Sequence, residues 1–279
     1  MSPILLLLSG IPGKMAKEIA LLLEEDQYRH RFALAPFGLG YHLRKGSTLQ
    51  LSSVVALPCE VATDLPRLLR ESGGLMESIV IDYSTPGAAL DNIQAYVEAG
   101  VSFVMGTTGF DRAEAVRLVT GSPVSAVIAP NMAAPIVVLQ AALAHVAERF
   151  PGALQGYRLA IHESHQSTKK DVSGTARALL GPLRALGCES VTPEIEAIRD
   201  PQQQRGLGVP EEHLSGHGWH WYEAKSGAGD VTLEVSHRVN GRRVYAEGAL
   251  LAAAFLHRQR AAGARGQVYS MQDVLEAGG

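Results

Sequence analysis

The chain alternates between unbroken apolar runs and amphipathic stretches. Residues 4–8, Ile-Leu-Leu-Leu-Leu, carry no polar position, the pattern of a strand buried on both faces of a parallel sheet. They run into Gly10-Ile11-Pro12-Gly13-Lys14-Met15-Ala16 and a helical pattern over 17–25. Further strands are predicted at 31–36, 54–57, 79–81, 101–105 and 124–129, with helices at 65–71, 88–99 and 112–119. Strands alternating with helices predict right-handed crossovers and a parallel sheet. A long helix over 135–150 puts Ile136, Leu139, Leu143 and Val146 on one side and starts a second region. There the pattern changes. A strand at 157–161, a helix at 176–186, a strand at 191–197 and a Gln- and Gly-rich excursion at 201–209 precede an aromatic, His-rich segment at 216–222. Residues 231–239 alternate like a strand with one wet face, and Asn240-Gly241 predicts a hairpin turn into 242–246. An Ala/Leu helix over 248–260 and a short tail at 268–275 close the pattern. The class is α/β: a parallel-sheet domain and an α+β domain with a mixed or antiparallel sheet.

Composition narrows this little. With 279 residues, 46% hydrophobic and 19% charged, the chain is globular and can bury a sizeable core. A net charge of −3 argues against a nucleic-acid partner held by phosphate neutralisation. Cys59 and Cys188 lack metal-ligand spacing and read as free thiols of a reducing compartment. The apolar run 4–8 has no positive residue before it and meets Gly10, Pro12 and Gly13 at once, so a strand explains it better than a leader. No run approaches the roughly 18–20 residues that cross a bilayer. A cytoplasmic protein without membrane contact is expected, or a plastid one if a transit peptide has been removed.

Candidate chemistry concentrates in 161–176, Ile-His-Glu-Ser-His-Gln-Ser-Thr-Lys-Lys-Asp-Val-Ser-Gly-Thr-Ala. It joins a predicted strand to a predicted helix. Ser173 is a candidate N-cap, and the amides of Gly174 and Thr175 would then face an anion. Alone, the stretch also fits a solvated loop before a capped helix. The turn after the first strand reads G-x-x-G-x-x-A, an imperfect dinucleotide fingerprint that an ordinary strand–helix turn also matches. No acidic residue ends the second strand, while Arg44 and Lys45 come after it. That leans toward NADPH over NADH, although both charges also suit a solvated loop. His162, His165, His217, His220 and His237 show no H-E-x-x-H and no pairing with cysteine, so no metal is expected.

Taken in order, the glycine turn, Asp82-Tyr83-Ser84-Thr85-Pro86, Gly106-Thr107-Thr108-Gly109, Ala129-Pro130-Asn131-Met132, the E-S-H-Q-x-x-K-x-D-x-S-G-T-A segment and the tail from Val268 to Leu275 resemble the dihydrodipicolinate reductase family, in its plant and cyanobacterial branch. The resemblance implies a Rossmann-type domain over 1–132 and 248–279, and a substrate-binding and oligomerisation domain over 133–247. It implies NAD(P)H-dependent reduction of a cyclic dicarboxylate in lysine and diaminopimelate biosynthesis, by a homotetramer. By the same resemblance Gly10, Ile11, Pro12, Gly13, Lys14 and Met15 bind the cofactor pyrophosphate. Gly106, Thr107, Thr108, Ala129, Pro130, Asn131 and Met132 flank the nicotinamide. His165 and Lys169 match the catalytic pair, Gly174 and Thr175 the carboxylate cradle. Gln166 stands where the enterobacterial pattern has a second His, the Pro before the Ser is missing, and the loop is one residue shorter. Arg242 or Arg243 is a candidate for the second carboxylate. Two alternatives stay open: a related amino-acid-pathway dehydrogenase, and a non-catalytic dinucleotide-binding sensor.

Overall fold

The structure, a computed structural model, describes residues 2–72, 77–192 and 194–278. The chain forms two compact units, Met1–Ala134 with Tyr245–Gly279, and Pro135–Val244.

The sheet of the first unit runs, in spatial order, Val268–Tyr269, Ala126–Ile128, Phe103–Met105, Ile79–Asp82, Ile4–Ile11, Gly38–Gly40, Ala56–Glu60 and Thr48–Gln50. Phe32–Leu34 lies beside the first half of Ile4–Ile11. Pairing is parallel except between Thr48–Gln50 and Ala56–Glu60. From Ile4–Ile11 the chain builds one side of the sheet, then returns to build the other from Ile79–Asp82 outwards. Ligands of such sheets bind at that reversal, beyond the carboxyl ends of the strands. Leu7, Val80, Ile93, Tyr96, Phe103 and Ala115 belong to the buried core of this unit. Two predicted elements shift. The strand expected over 31–36 splits into Phe32–Leu34 and Gly38–Gly40, because Pro36 has no amide proton to continue a ladder. The helix expected from 17 starts at Lys14, because Gly13 is already its N-cap.

In the second unit Arg158–His165 is the central strand. Glu189–Ser190 and Glu196–Ile198 pair with it in parallel, His217–Lys225 pairs antiparallel on its other side, and Thr232–Asn240 comes next, also antiparallel. Leu139 and Leu143 of Ala134–Arg149 and Leu179 and Leu183 of Gly174–Ala185 pack with Leu159, Ile161 and Tyr222. Five expectations change here. In place of one strand over 191–197 there are two short ones, Glu189–Ser190 and Glu196–Ile198, with 191, 192, 194 and 195 outside both. The central strand runs on from 161 to His165, since Glu163 and His165 alternate onto the face of Leu159 and Ile161 and Arg199 neutralises Glu163. The helix expected from 176 begins at Gly174, where Ser173 caps it. Within the excursion over 201–209 lies a helix, Pro201–Gly206. Asp200 caps it by accepting the Gln203 N–H at 2.9 Å, with proline in the first position. No hairpin forms at 240–241. Gly241 (φ +75°) ends the strand, and Arg243–Ala261 is one helix whose buried Ala246, Ala249, Leu250 and Ala253 keep helical spacing.

Cys59 and Cys188 are free and buried. Among the described residues no helix is long and apolar enough to cross a membrane.

Candidate active site

Strand register puts Ser9, Asp82, Met105 and Ile128 in one row across four neighbouring strands. The segments just after them, 10–15, 83–86, 106–109 and 129–132, therefore leave the sheet along one edge. The residues expected to bind the pyrophosphate and the nicotinamide lie on these segments. Their close approach depends on glycine. Gly10 has φ +90°, and a Cβ there would strike the carbonyl of Tyr83. At Gly13 a Cβ would sit 2.6 Å from the carbonyl of Gly10, and at Gly106 it would strike the Tyr83 ring. Gly248 lets the helix Arg243–Ala261 lie against the backbone of Met132, which anchors the fourth segment.

Gly13 caps Lys14–Leu22 without a side-chain hydrogen bond, and no acidic residue stands in the first turn. With Gly13 and Lys14 exposed, the first amides of this helix can receive an anion. A cavity of 30 Å³ at the reversal is lined by Ser9, Gly10, Gly40, Tyr41, Ser84 and Asn92 among others. A dinucleotide fits this edge: its phosphates need open helix amides and bare backbone, and both are present. Beyond Gly38–Gly40 comes the turn His42–Arg44. Lys45 is ion-paired with Asp64, whereas Arg44 has no ion pair among the described residues.

Asp82 holds the edge together. Its carboxylate is fully buried and accepts from Ser84 N–H (2.7 Å), Thr107 hydroxyl (3.1 Å), Asn92 amide (3.0 Å) and Tyr96 hydroxyl (2.6 Å). Burial, and then the Asp82 charge, push the Tyr96 hydroxyl well above its usual pKa, so it stays a donor. One carboxylate thus joins the 83–86 and 106–109 segments to the helix Ala89–Ala99. Asp82→Asn replaces an acceptor by a donor facing other donors. A loss of about 1–3 kcal/mol of stability is expected, read as a lower urea midpoint at unchanged slope.

In the second unit His165 ends the central strand. Its Nδ1–H donates to the carbonyl of His217 at 3.0 Å, which leaves Nε2 as the acceptor nitrogen. Burial holds its pKa down at about 4, against the pull of Glu163. The ring stands over Gly218, where a Cβ would come within 2.9 Å of it. His217 is fixed in turn, donating from Nδ1 to the carbonyl of His213 (3.0 Å) and accepting at Nε2 from Ser164 hydroxyl (2.8 Å).

Lys169 lies on the loop after this strand, with Nζ 3.0 Å from Asp171 Oδ1. Arg199 pins that loop by donating to the carbonyls of Lys169 (2.9 Å) and Asp171 (3.2 Å) and to the buried Glu163 carboxylate. Glu163 Oε2 also accepts the Ser173 N–H at 2.9 Å. The Ser173 hydroxyl accepts the Thr175 N–H at 3.2 Å, so the cap engages that amide, while Gly174 is exposed at the helix start. Gln166 is half-buried. His165, Gln166, Lys169, Gly174 and Thr175 are therefore gathered on one strand–loop–helix.

Sequence reasoning missed Arg199, Gln204 and Gly218. Gln204 is fully buried and donates to the carbonyl of His165 at 2.7 Å. Nothing in the local spacing of Arg199 or Gln204 marks them, because each acts on a strand more than thirty residues away. A glycine inside a strand was the available signal for Gly218.

Comparison with known proteins gives the family. Residues 4–132 match the family described as "Dihydrodipicolinate reductase, N-terminus", and residues 135–275 match "Dihydrodipicolinate reductase, C-terminus". The chain is 38% identical over 277 residues to 4-hydroxy-tetrahydrodipicolinate reductase 2, chloroplastic, of Arabidopsis thaliana, covering 98% of this chain and 77% of that protein. It is 44% identical over 222 residues to the probable 4-hydroxy-tetrahydrodipicolinate reductase 1, chloroplastic, of Oryza sativa subsp. japonica. That match covers 79% of this chain and 64% of the rice protein, a little under two thirds of its length. A dipicolinate-bound dihydrodipicolinate reductase from Paenisporosarcina sp. TG-14 shares the fold at a TM-score of 0.64 and 18% identity, over 97% of this chain and 99% of that one. Matched at both halves, in order and over nearly its whole length, the chain belongs to the dihydrodipicolinate reductase family.

Proposed function

We propose that this protein is a 4-hydroxy-tetrahydrodipicolinate reductase, an NAD(P)H-dependent oxidoreductase forming tetrahydrodipicolinate in lysine and diaminopimelate biosynthesis. One observation carries the reading: His165, Lys169 and the helix start at Gly174 share one buried scaffold held by Glu163 and Arg199. Bound nicotinamide cofactor supplies a hydride. Residues 10–15 hold its pyrophosphate on the amides of Lys14–Leu22, and Gly106, Thr107, Thr108 and 129–132 border its nicotinamide. Once the 4-hydroxyl has left as water, the ring carries a carbon–carbon double bond; hydride reaches one of its carbons and Lys169 donates the proton to the other. Asp171, its partner, is 80% exposed, so a dianionic substrate can replace it at little cost. Gly174 receives one carboxylate at the helix N-terminus, Thr175 contributes from its side chain because its amide is engaged by Ser173, and Gln166 donates to the substrate from its amide. His165, neutral near pH 7, accepts or relays a proton through Nε2 and does not act as a cation.

NADPH is the preferred cofactor in this reading, and Arg44 binds its 2′-phosphate, since Lys45 is engaged with Asp64. Charge-assisted hydrogen bonds contribute about 1.5–3 kcal/mol, so Arg44→Ala raises KM for NADPH by about 10- to 100-fold and leaves KM for NADH near its starting value. Equal effects on both cofactors would count against this role. A homotetramer is supported by the second sheet face of Pro135–Val244, where His162, Trp221, Glu223 and Ser236 are half-buried or exposed. The chloroplastic names of the plant relatives support a plastid setting beside the cytoplasmic one.

The test monitors NADPH and NADH oxidation with the cyclic substrate generated in situ from pyruvate and aspartate semialdehyde. Oxidation that depends on both precursors is expected. Tight cofactor binding without turnover would instead support a dinucleotide-binding sensor.

A further inference from the structure

Cross-strand register lines up three side chains on the helix-covered face of the second sheet. Glu163 is the direct partner of His220, and His220 is the direct partner of His237. His165 lies two residues beyond Glu163 on the same face, its ring centroid 5.1 Å from that of His220. One donor atom each from Glu163, His165 and His220 lies within 4.8 Å of the others. His220 Nε2 points at the carboxylate, 3.8 Å from Glu163 Oε2.

The polar bookkeeping of this cluster does not close within the protein. His220 is 2% exposed, and neither of its ring nitrogens has a hydrogen-bond partner. The same holds for His165 Nε2 and for both nitrogens of His237. Buried polar atoms of native proteins nearly always have partners, and an exception calls for a ligand or a function. The spacing of the histidines along the chain gave no reason to expect a metal, but the fold leaves these buried nitrogens without partners. The unpartnered atoms of this cluster are imidazole nitrogens, each neutral ring offering one lone pair, and a carboxylate stands among them.

We propose that Glu163, His165 and His220 form a binding site for one divalent transition-metal ion of the zinc class, and that its occupation switches the enzyme off. Imidazole nitrogens with one carboxylate are a donor set that zinc-class ions take readily. A tetrahedral ion about 2.0–2.2 Å from each donor needs donors about 3.3 Å apart. The donors, within 4.8 Å of one another, must close in by about 1 Å or more to reach that spacing, and the Arg199 and Ser173 bonds to Glu163 must adjust as they do. The bond from His165 Nδ1–H to the His217 carbonyl is the outer support that metal-ligating histidines use to fix tautomer and ring orientation. His237, with its ring 4.5 Å from that of His220, or a solvent molecule completes the coordination. Arg199 and Lys169 oppose the ion electrostatically, so the site is weaker than a structural zinc site and answers to free metal concentration. The inhibitory half of the proposal rests on the catalytic assignment of His165, whose Nε2 lone pair the metal would take.

The test uses the full chain stripped with chelator. Cobalt(II) chloride titrated into it is expected to bind one equivalent with the visible absorption of a low-coordinate nitrogen/oxygen site, and zinc sulfate to displace it. His220→Phe keeps the buried volume and is expected to weaken cobalt binding at least about tenfold. His145→Ala, which removes an exposed histidine of the same unit, is expected to leave it unchanged. No stoichiometric binding, or equal binding by His220→Phe, overturns the site. Zinc is further expected to lower wild-type turnover in proportion to occupancy and to spare the His220→Phe variant at the same concentration. Binding without loss of turnover overturns the switch. Should no substrate turn over, the reductase assignment fails, while the cobalt spectrum still decides the site.

Discussion

Lys169→Ala is expected to lower kcat by about 10²–10⁴-fold, the usual contribution of a positioned general acid. Affinity for NADPH should stay near the wild-type value. The asymmetry comes from where the side chain is tied. Arg199 anchors the loop through the carbonyls of Lys169 and Asp171, and the Lys169 N–H donates to the carbonyl of Gln166 at 3.0 Å. These backbone bonds survive truncation of the side chain. The variant loses the proton and its charge, together with one ion pair to an exposed aspartate. Exposed ion pairs contribute about 0–1 kcal/mol, so stability changes little. Lys169→Arg refines the test. It keeps the charge, yet guanidinium does not give up its proton in this pH range. Substrate KM should then recover more than kcat. Cofactor binding lost along with turnover, or kcat left intact, would overturn the assignment.

Gly10→Ala is expected to abolish measurable nucleotide binding and to destabilise the first unit. A non-glycine residue at φ +90° is strained wherever it stands, by about 1–2 kcal/mol. The added Cβ also meets the carbonyl of Tyr83, a backbone atom that cannot swing aside. Relief requires the ends of Ile4–Ile11 and Ile79–Asp82 to part, and the second of these carries the Asp82 hub. The 83–86 and 106–109 segments then lose their common anchor. Gly13→Ala is the graded comparison. Gly13 has φ −60°, which alanine adopts freely, and its Cβ meets only the Gly10 carbonyl at 2.6 Å. A partial loss of affinity with a smaller fall in Tm is expected. Nucleotide fluorescence titration and thermal melts of both variants check this, and equal effects would show that crowding at Tyr83 is not the cause.

Much of this architecture could be read from patterning. The unbroken apolar run at 4–8 and the helix–strand alternation after it lead to the parallel sheet, because a doubly covered sheet leaves no alternation to misread. The glycine turn was legible as well, since positive φ and close backbone approach leave glycine few substitutes. The second unit was harder. The stretch 161–176 also fitted a solvated loop because charge usually means solvent, and the return of Arg199, just after a later strand, with the Ser173 N–H makes the burial of Glu163 tolerable. His220 gave no metal signal in its spacing because register cannot be read from one strand, and its meaning depends on which residues stand opposite. The hairpin expected at Asn240-Gly241 failed for a related reason: a turn dipeptide marks a change of direction, and either a strand or a helix can begin beyond it.

The second unit is inserted into the first, between Ala134 and Tyr245. That insertion bears on how the chain assembles. The strand Val268–Tyr269 completes the parallel sheet against Ala126–Ile128, about 140 residues earlier. Closing so long a loop from an unfolded chain is entropically costly and slow. Until it closes, Ala126–Ile128 stays an unprotected edge, open to pairing with another chain. If the insert folds first, its own structure shortens the effective loop, and Val268–Tyr269 can dock quickly. The order in which the two units fold then sets how long the edge at Ala126–Ile128 stays open, a consequence of the insertion that is separate from any chemistry of the finished protein.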